Sequence, residues 1–386
     1  METWEATYRI TTPLFLGGAS SAAEAELRPP SLKGLLRFWF RAIALPALGN
    51  WQKVQEVENI LFGSTNGQAC FFLSIVNPDE IKSVKPNRDW EKRHGLGYLG
   101  YGIMDRGMMR RSYLINGGLF TLKTTLKRDV TTEFSKLLPI ALKALGLFGG
   151  AGARARNGFG SLSLESLRHN GEEKWLIPGS IEELRKSIRN LVEEMGLNSQ
   201  EIKDLPNYTA FSPWIKIKIT RTAQDPLALL DDVGKELLRY RSYGNASSGI
   251  HVLPWREKAE QNFADDHDMV LNLINGRTNQ LPSHPRRVVF GLPHNYFFLS
   301  TRQRANVDAA NYKRRAAPLF IHIHALSTGE YAAILSLLPA LFLPEGELIK
   351  ISCGRYNKQV ACHVNYQEIE NFLNRSIFNN GVVVWP

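Results

Sequence analysis

Residues 147–162 read Leu-Phe-Gly-Gly-Ala-Gly-Ala-Arg-Ala-Arg-Asn-Gly-Phe-Gly-Ser-Leu, five glycines and two arginines in a stretch with almost no bulk. Glycine permits positive φ and close approach to the main chain, so consecutive N–H groups here can turn toward an anion. Arg154 and Arg156 can add charge-assisted hydrogen bonds. The composition suits a phosphate chain. It lacks the Gly-Lys-Ser/Thr ending of a triphosphate loop and the Gly-x-Gly-x-x-Gly spacing between a strand and a helix, so neither ATP nor NAD is implied. The bland alternative is a flexible Gly/Ala surface loop.

Outward from this stretch, the pattern predicts a strand within 4–16, where Trp4, Tyr8, Ile10, Leu14 and Phe15 stand among threonines before Gly17-Gly18. A helix over 32–45 follows, with Ser31 as its N-cap after Pro29-Pro30. Strands are expected over 69–76 and 113–126, the second with a turn or bulge at Gly117-Gly118, then a helix over 132–146. With the strand after the glycine stretch, this is the split β-α-β order of ferredoxin-like domains. His94 to Arg111 reads as a Gly/Tyr insertion without an element of its own, in which Tyr98 and Tyr101 could stack on bases or pack locally.

An acidic amphipathic helix is expected over 180–196, and from 208 the pattern restarts. Strands are predicted at 209–221, 287–291, 294–300, 317–326 and 348–352, and helices at 226–242, 264–275, 329–342 and 366–374. The basic segment 302–315 reads as a projecting hairpin or loop. The expected class is α+β: a first ferredoxin-like domain over 1–165, an acidic helical connector over 166–205 and a second ferredoxin-like domain over 206–386, with insertions.

The 386 residues carry 44% hydrophobic and 22% charged side chains and a net charge of +10, a foldable globular balance that favours an anionic partner. The charge is +8 over 1–160, −3 over 161–205 and +5 over 206–386, which fits two anion-facing lobes tied by a solvated acidic connector. Lys33, Arg37 and Arg41 fall at four-residue intervals on one face of the first helix. No acidic residue between Pro29 and Gln55 offers them an i,i+4 partner, so they read as an unpaired cationic stripe. No apolar run approaches the roughly 18 residues of a membrane span, and the N-terminus lacks a signal peptide's basic start, so a cytoplasmic protein with no membrane partner is expected. Cys70, Cys353 and Cys362 are too scattered for a disulfide framework or a zinc site.

Catalytic constellations are weak. His322 and His324 alternate onto one strand face without a third metal ligand nearby in sequence, and satisfied core histidines are the default reading. Asp265-Asp266-His267-Asp268 suits a helix N-terminus as well as a metal. His251, His284 and His294 could serve as acid or base in RNA cleavage, but no paired arrangement is visible, and neither a Gly-x-Ser-x-Gly elbow nor an activated cysteine is present.

Thr11-Thr-Pro-Leu-Phe-Leu-Gly-Gly18, Glu26 to Arg41 and Gly149 to Gly160 together resemble the RAMP superfamily of CRISPR proteins. Within it, the helix pattern Arg-Pro-x-Ser-x-Lys-Gly-x-x-Arg-x-Trp-x-Arg and the runs Phe290-Gly-Leu-Pro293 and Arg314-Arg-Ala-Ala-Pro-Leu-Phe320 look like the family of first subunits of the Cmr effector complex. The resemblance implies two RRM-related domains and a place at the end of a ribonucleoprotein filament near the 3′ portion of the guide RNA. It implies a non-catalytic role in holding guide and single-stranded target RNA for antiviral defence, beside other Cmr and RAMP subunits. No metal or other cofactor is expected from the residues. The RNA-facing role of the family's glycine loop carries onto Gly149, Gly150, Gly152, Arg154, Arg156, Asn157, Gly158 and Gly160. The basic helix role carries onto Lys33, Arg37 and Arg41, and Lys313 and Arg314 are expected to add contacts from the second lobe. The strands lack the RNP-type aromatic motif, so stacking on a sheet face is not implied. The alternative is a RAMP-type endoribonuclease acting on guide or target RNA.

Overall fold

A computed structural model describes the chain except residues 19–23, 78–80, 86–92, 106–107, 110, 128–134, 198–201, 300, 313, 355, 379–380 and 386. The first lobe starts with β1 (Thr3–Ile10), whose alternation buries Ala6, Tyr8 and Ile10 on one face. Helix α1 (Pro29–Leu48) opens on Pro29 and Pro30, where a missing N–H costs nothing, and closes on Gly49 at φ 78°. Arg28 is its N-cap, with no side-chain hydrogen bond. Ser31 therefore sits inside the first turn instead of capping it. Helix α2 (Trp51–Phe62) is capped by Asn50, which accepts from the Lys53 N–H.

After β2 (Phe71–Val76) comes α3 (His94–Leu99), a short helix where the sequence suggested no element. It docks against the second lobe: the Leu96 N–H donates to the Asp231 carboxylate at 3.0 Å. β3 (Leu119–Leu126), α4 (Leu137–Phe148), β4 (Leu162–His169) and β5 (Glu172–Leu176) complete an antiparallel sheet in the order β2-β3-β1-β4-β5. The acidic helix α5 (Ile181–Glu194) is not a solvated tether. Its stripe Leu184, Ile188, Leu191 and Val192 is buried in a core shared by both lobes, against α4 on one side and the strands Lys216–Ala223 and Val382–Trp385 on the other, while its charged face stays outside.

The second lobe begins with β6 (Lys216–Ala223) and α6 (Pro226–Arg241), the latter capped by Asp225. Helix α7 (Ala264–Ile274) is followed by a 3-10 turn over Arg286–Phe290, where a strand was expected. The Asp266 carboxylate accepts the N–H groups of Arg286 and Arg287, both at 2.9 Å, and so holds the turn closed. β7 (His294–Phe298), β8 (Gln303–Ala309), β9 (Leu319–Ala325) and β10 (Tyr331–Leu337) come next.

Two expectations fail here. The basic segment 302–315 does not project as a whole, because Ala305, Val307 and Ala309 of β8 alternate into a core. The apolar run expected as helix 329–342 is strand β10, buried at every position but Tyr331, and a run apolar on both faces has no periodicity to separate the two states. β11 (Leu348–Cys353), β12 (Tyr356–Ala361), α8 (Gln367–Leu373) and β13 (Val382–Trp385) finish the chain. The sheets are antiparallel, in the orders β9-β10-β6-β13 and β7-β8-β11-β12.

The lobes meet along β9. The Thr11 hydroxyl donates to the Ile323 carbonyl, while the hydroxyls of Ser161 and Ser163 accept the N–H groups of Ile323 and Ala325. Side chains of the first lobe thus satisfy backbone groups on the open edge of the second sheet. Among the described residues no helix is long and apolar enough to cross a membrane.

Candidate nucleic-acid interface

The glycine stretch links α4 to β4 and fills the seam between the lobes. Several of its N–H groups are already paired inside the protein. Gly149 donates to the Leu145 carbonyl, Ala151 to Gly160, Ala153 to Phe15, Gly160 to Pro13 and Leu162 to Gly149, and the Asn157 side-chain amide donates to Leu99. Gly150, Gly158 and Gly160 are buried. Close packing explains the glycines: at Gly152 (φ 82°) and Gly160 (φ 62°) a Cβ would lie 2.4 Å from the Phe15 oxygen and 2.2 Å from the Ala151 oxygen. The N–H groups paired in this way are satisfied within the fold, so this part of the stretch serves packing.

The arginines behave differently. Arg154 is exposed at φ 64° and lies in the electrostatic reach of Tyr101 and Arg314, both on the surface. Burial lowers its pKa, Tyr101 pulls the other way, and Arg314 adds to the lowering. Arg156 turns inward. Its Nη1 donates to the Ala317 carbonyl at 2.8 Å, and its guanidinium sits 4.6 Å from the Phe320 ring centre and 5.5 Å from that of Phe38. Burial and the neighbouring Arg315 bring its pKa down to about 10, so it stays charged at neutral pH. Main-chain pairing anchors the strip, with the Ile321 N–H donating to the Arg156 carbonyl at 2.9 Å.

Arg156 and Arg315 line a cleft of about 580 Å³ with Arg41, Phe38, Trp51 and Tyr208. Trp51 is 46% exposed. The cleft therefore joins three arginines to aromatic surface at the seam, with Arg315 also donating to the Leu341 carbonyl at 3.1 Å, an arrangement able to neutralise phosphates and stack on a base. Glu58, also in the lining, is the one acid there among the described residues and is only 5% exposed.

Glu58 also corrects the reading of the helix stripe. Arg37 pairs with its carboxylate and donates to the Gly63 carbonyl at 3.1 Å, and Arg41 Nη1 lies 3.6 Å from the same oxygen. The partner comes from α2, beyond the i,i+4 window, so local spacing could not reveal it. Lys33 is held apart, with its amine 5.8 Å from the Phe71 ring centre and its pKa lowered by partial burial, then by Arg37 and Lys127. It is not part of the cleft lining. Lys313 lies outside the described residues. Arg315, Trp51 and Tyr208 were missed as candidates; the Arg314-Arg315 doublet was the one local signal.

His322, His324 and His284 are held within the fold by hydrogen bonds. A carbonyl only accepts, so His322 Nδ1 donates to Gly149 at 2.7 Å, leaving Nε2 to accept from His324 Nδ1 at 3.3 Å. His284 Nε2 accepts the His363 N–H. Among the described residues no three metal-ligating side chains gather.

The family model of the RAMP superfamily matches residues 7–163. The CRISPR system Cmr subunit Cmr1-1 of Pyrococcus furiosus is 28% identical over 227 residues, covering 56% of this chain and 66% of that protein. Subunit Cmr1-2 of the same organism is 30% identical over 182 residues, covering 41% of this chain and 92% of that one. In fold, the chain is similar to the apo crystal structure of Cmr1 from Pyrococcus furiosus, with a TM-score of 0.62 at 20% identity over 100% of this chain and 99% of that one. It is also similar to a chain in the cryo-EM structure of type III-B Cmr-beta bound to cognate target RNA, with a TM-score of 0.51 at 13% identity over 89% of this chain and 97% of that one. On these similarities the chain belongs to the RAMP superfamily, as a Cmr1-like member.

Proposed function

We propose that the protein is a non-catalytic, RNA-binding subunit of a Cmr-type ribonucleoprotein. In this reading it caps the filament near the 3′ portion of the guide RNA in the cytoplasm and helps hold target RNA for antiviral defence beside other Cmr subunits. The observation that carries it is the seam cleft, where Arg41, Arg156 and Arg315 converge beside Trp51. Phosphates would meet the guanidinium groups and a base would stack on the indole, with little sequence preference. Arg154 and Arg314 extend the basic surface beyond the cleft toward Tyr101. The glycines act by setting the paths of Arg154 and Arg156, Lys33 is assigned to an outer backbone contact, and Lys313 is assigned to RNA binding on its charge alone.

The two lobes are read as tandem ferredoxin-like units divided near 165 and 205. In support, β1-α1-β2-β3-α4-β4 and β6-α6-β9-β10-α8-β13 have equivalent strand orders, β2-β3-β1-β4 and β9-β10-β6-β13. The third sheet arises from insertions in the second unit.

The test is single-stranded RNA binding by Arg156→Glu and Arg315→Glu across a salt series. Each variant is expected to bind at least tenfold more weakly and to lower the log-log salt slope by about 0.7 for each phosphate that is no longer neutralised. Unchanged affinity in both would overturn the cleft as the RNA site. Cleavage of the RNA by the purified chain, abolished by one histidine substitution, would overturn the non-catalytic part.

A further inference from the structure

In the second lobe, away from the seam cleft, Arg241 at the end of α6, Arg287 of the 3-10 turn, and His294 and Tyr296 of β7 gather in one place. Arg241 acts electrostatically on Arg287, His294 and Tyr296, and Arg287 acts on His294 and Tyr296. The His294 and Tyr296 rings meet edge to face at 4.8 Å. Aromatic rings hold both guanidinium groups: Arg241 lies 4.5 Å from the Phe290 ring centre and 5.7 Å from that of Tyr98, and Arg287 lies 5.4 Å from that of Tyr296.

Four polar atoms here are shut from solvent without a hydrogen-bond partner: Arg241 Nε, Arg287 Nε, His294 Nε2 and Tyr296 Oη. Buried polar atoms are rarely left so, and four together call for a small polar occupant. The charge decides its sign. Two cations stand side by side, and among the described residues neither has a carboxylate partner. The nearby acids are engaged elsewhere, with both Asp266 oxygens accepting the Arg286 and Arg287 N–H groups and Asp265 pairing with the Arg286 side chain at 2.7 Å. Arg241, Arg287 and His294 each keep part of their surface exposed, which provides an approach.

We propose that this cluster is an anion site that takes a phosphate group, with the two guanidinium groups neutralising its charge and Tyr296 and His294 completing its hydrogen bonds. Guanidinium pairs suit a tetrahedral oxyanion, because each planar fork can meet two oxygens. The group can belong to the end of an RNA strand or to a free phosphate or mononucleotide. The site stands independently of the seam cleft, so either can fail alone.

The test is thermal unfolding of the full chain in potassium phosphate against potassium chloride and acetate at matched ionic strength and pH. Phosphate is expected to raise the melting temperature above both, an effect lost in Arg287→Gln and retained in Lys174→Gln, a surface change outside both sites. Should Arg287→Gln not fold, Tyr296→Phe removes one hydroxyl at nearly constant volume and is expected to weaken phosphate binding severalfold. Equal stabilisation by acetate, no stabilisation by phosphate, or an undiminished effect in a folded Arg287→Gln or Tyr296→Phe variant would overturn the proposal. A short RNA with a terminal monophosphate that competes with phosphate, where its hydroxyl-ended counterpart does not, supports the strand end as the source. Competition by a nucleoside monophosphate but by neither RNA supports the free ligand.

Discussion

Arg37 of α1 is paired through its Nε with the carboxylate of Glu58 on α2, and the same oxygen lies 3.6 Å from Arg41 Nη1. A cationic stripe that looks unpaired along its own helix is thus tempered by one acid from the next helix, placed in the lining of the cleft that Arg41 shares.

Glu58→Gln should separate stability from binding. The change keeps the shape but leaves the Arg37 guanidinium without its counter-charge, at an expected cost of about 1–3 kcal/mol in chemical denaturation. RNA affinity should rise by about fivefold, since one negative charge near the phosphates is worth ~1 kcal/mol in a watery cleft. A folded variant with weaker RNA binding would sink the view that Glu58 opposes the ligand.

The seam histidines predict an acid-sensitive junction. Burial holds the pKa of His322 down to about 4 and that of His324 well below its ordinary value. Between pH 6.5 and 4 the unfolded chain takes up protons that the folded seam refuses, so stability is complete above pH 6.5 and falls on acidification. Each such histidine contributes a slope of about 1.4 kcal/mol per pH unit. His322→Asn keeps a donor for the Gly149 carbonyl but does not titrate, and denaturation midpoints between pH 4.5 and 7 should show a shallower acid slope. Parallel pH curves for the two proteins would refute the assignment.

Gly160→Ala tests whether the glycine stretch is built for packing. A methyl group would stand 2.2 Å from the Ala151 oxygen on a residue at φ 62°. The expected loss is about 2–4 kcal/mol, combining backbone strain with overpacking. RNA affinity of the fraction that folds should fall as Arg154 and Arg156 shift. A variant of undiminished stability and reduced binding would instead favour direct contact between the glycine backbone and RNA.

Arg154 and Arg314 carry a fourth expectation. Both are exposed and near each other, so Arg154→Ser with Arg314→Ser should leave the melting temperature within about 1 °C, surface substitutions costing little. The salt slope of RNA binding should fall, and binding of oligonucleotides too short to leave the cleft should be unaffected. Equal losses for short and long RNA would contradict a basic surface that extends beyond the cleft.

Much of the architecture could be read along the chain. Alternation in β1 and β6 and the helical periodicity of α1 and α6 are properties of near neighbours, and the same neighbours persist after folding. Helix 329–342 failed because an apolar run buried on both faces has no period to read, and the turn over Arg286–Phe290 failed because Asp266, some twenty residues earlier, holds it. The basic character was visible from composition. The partners were not. Arg37 meets Glu58 across 21 residues and Arg156 meets Ala317 across 161, and these distant contacts set which cations are neutralised and which converge at the seam. Charge and periodicity are written locally; neutralisation and burial depend on what folding brings alongside, because Coulomb and desolvation energies follow distance in space and not separation along the chain.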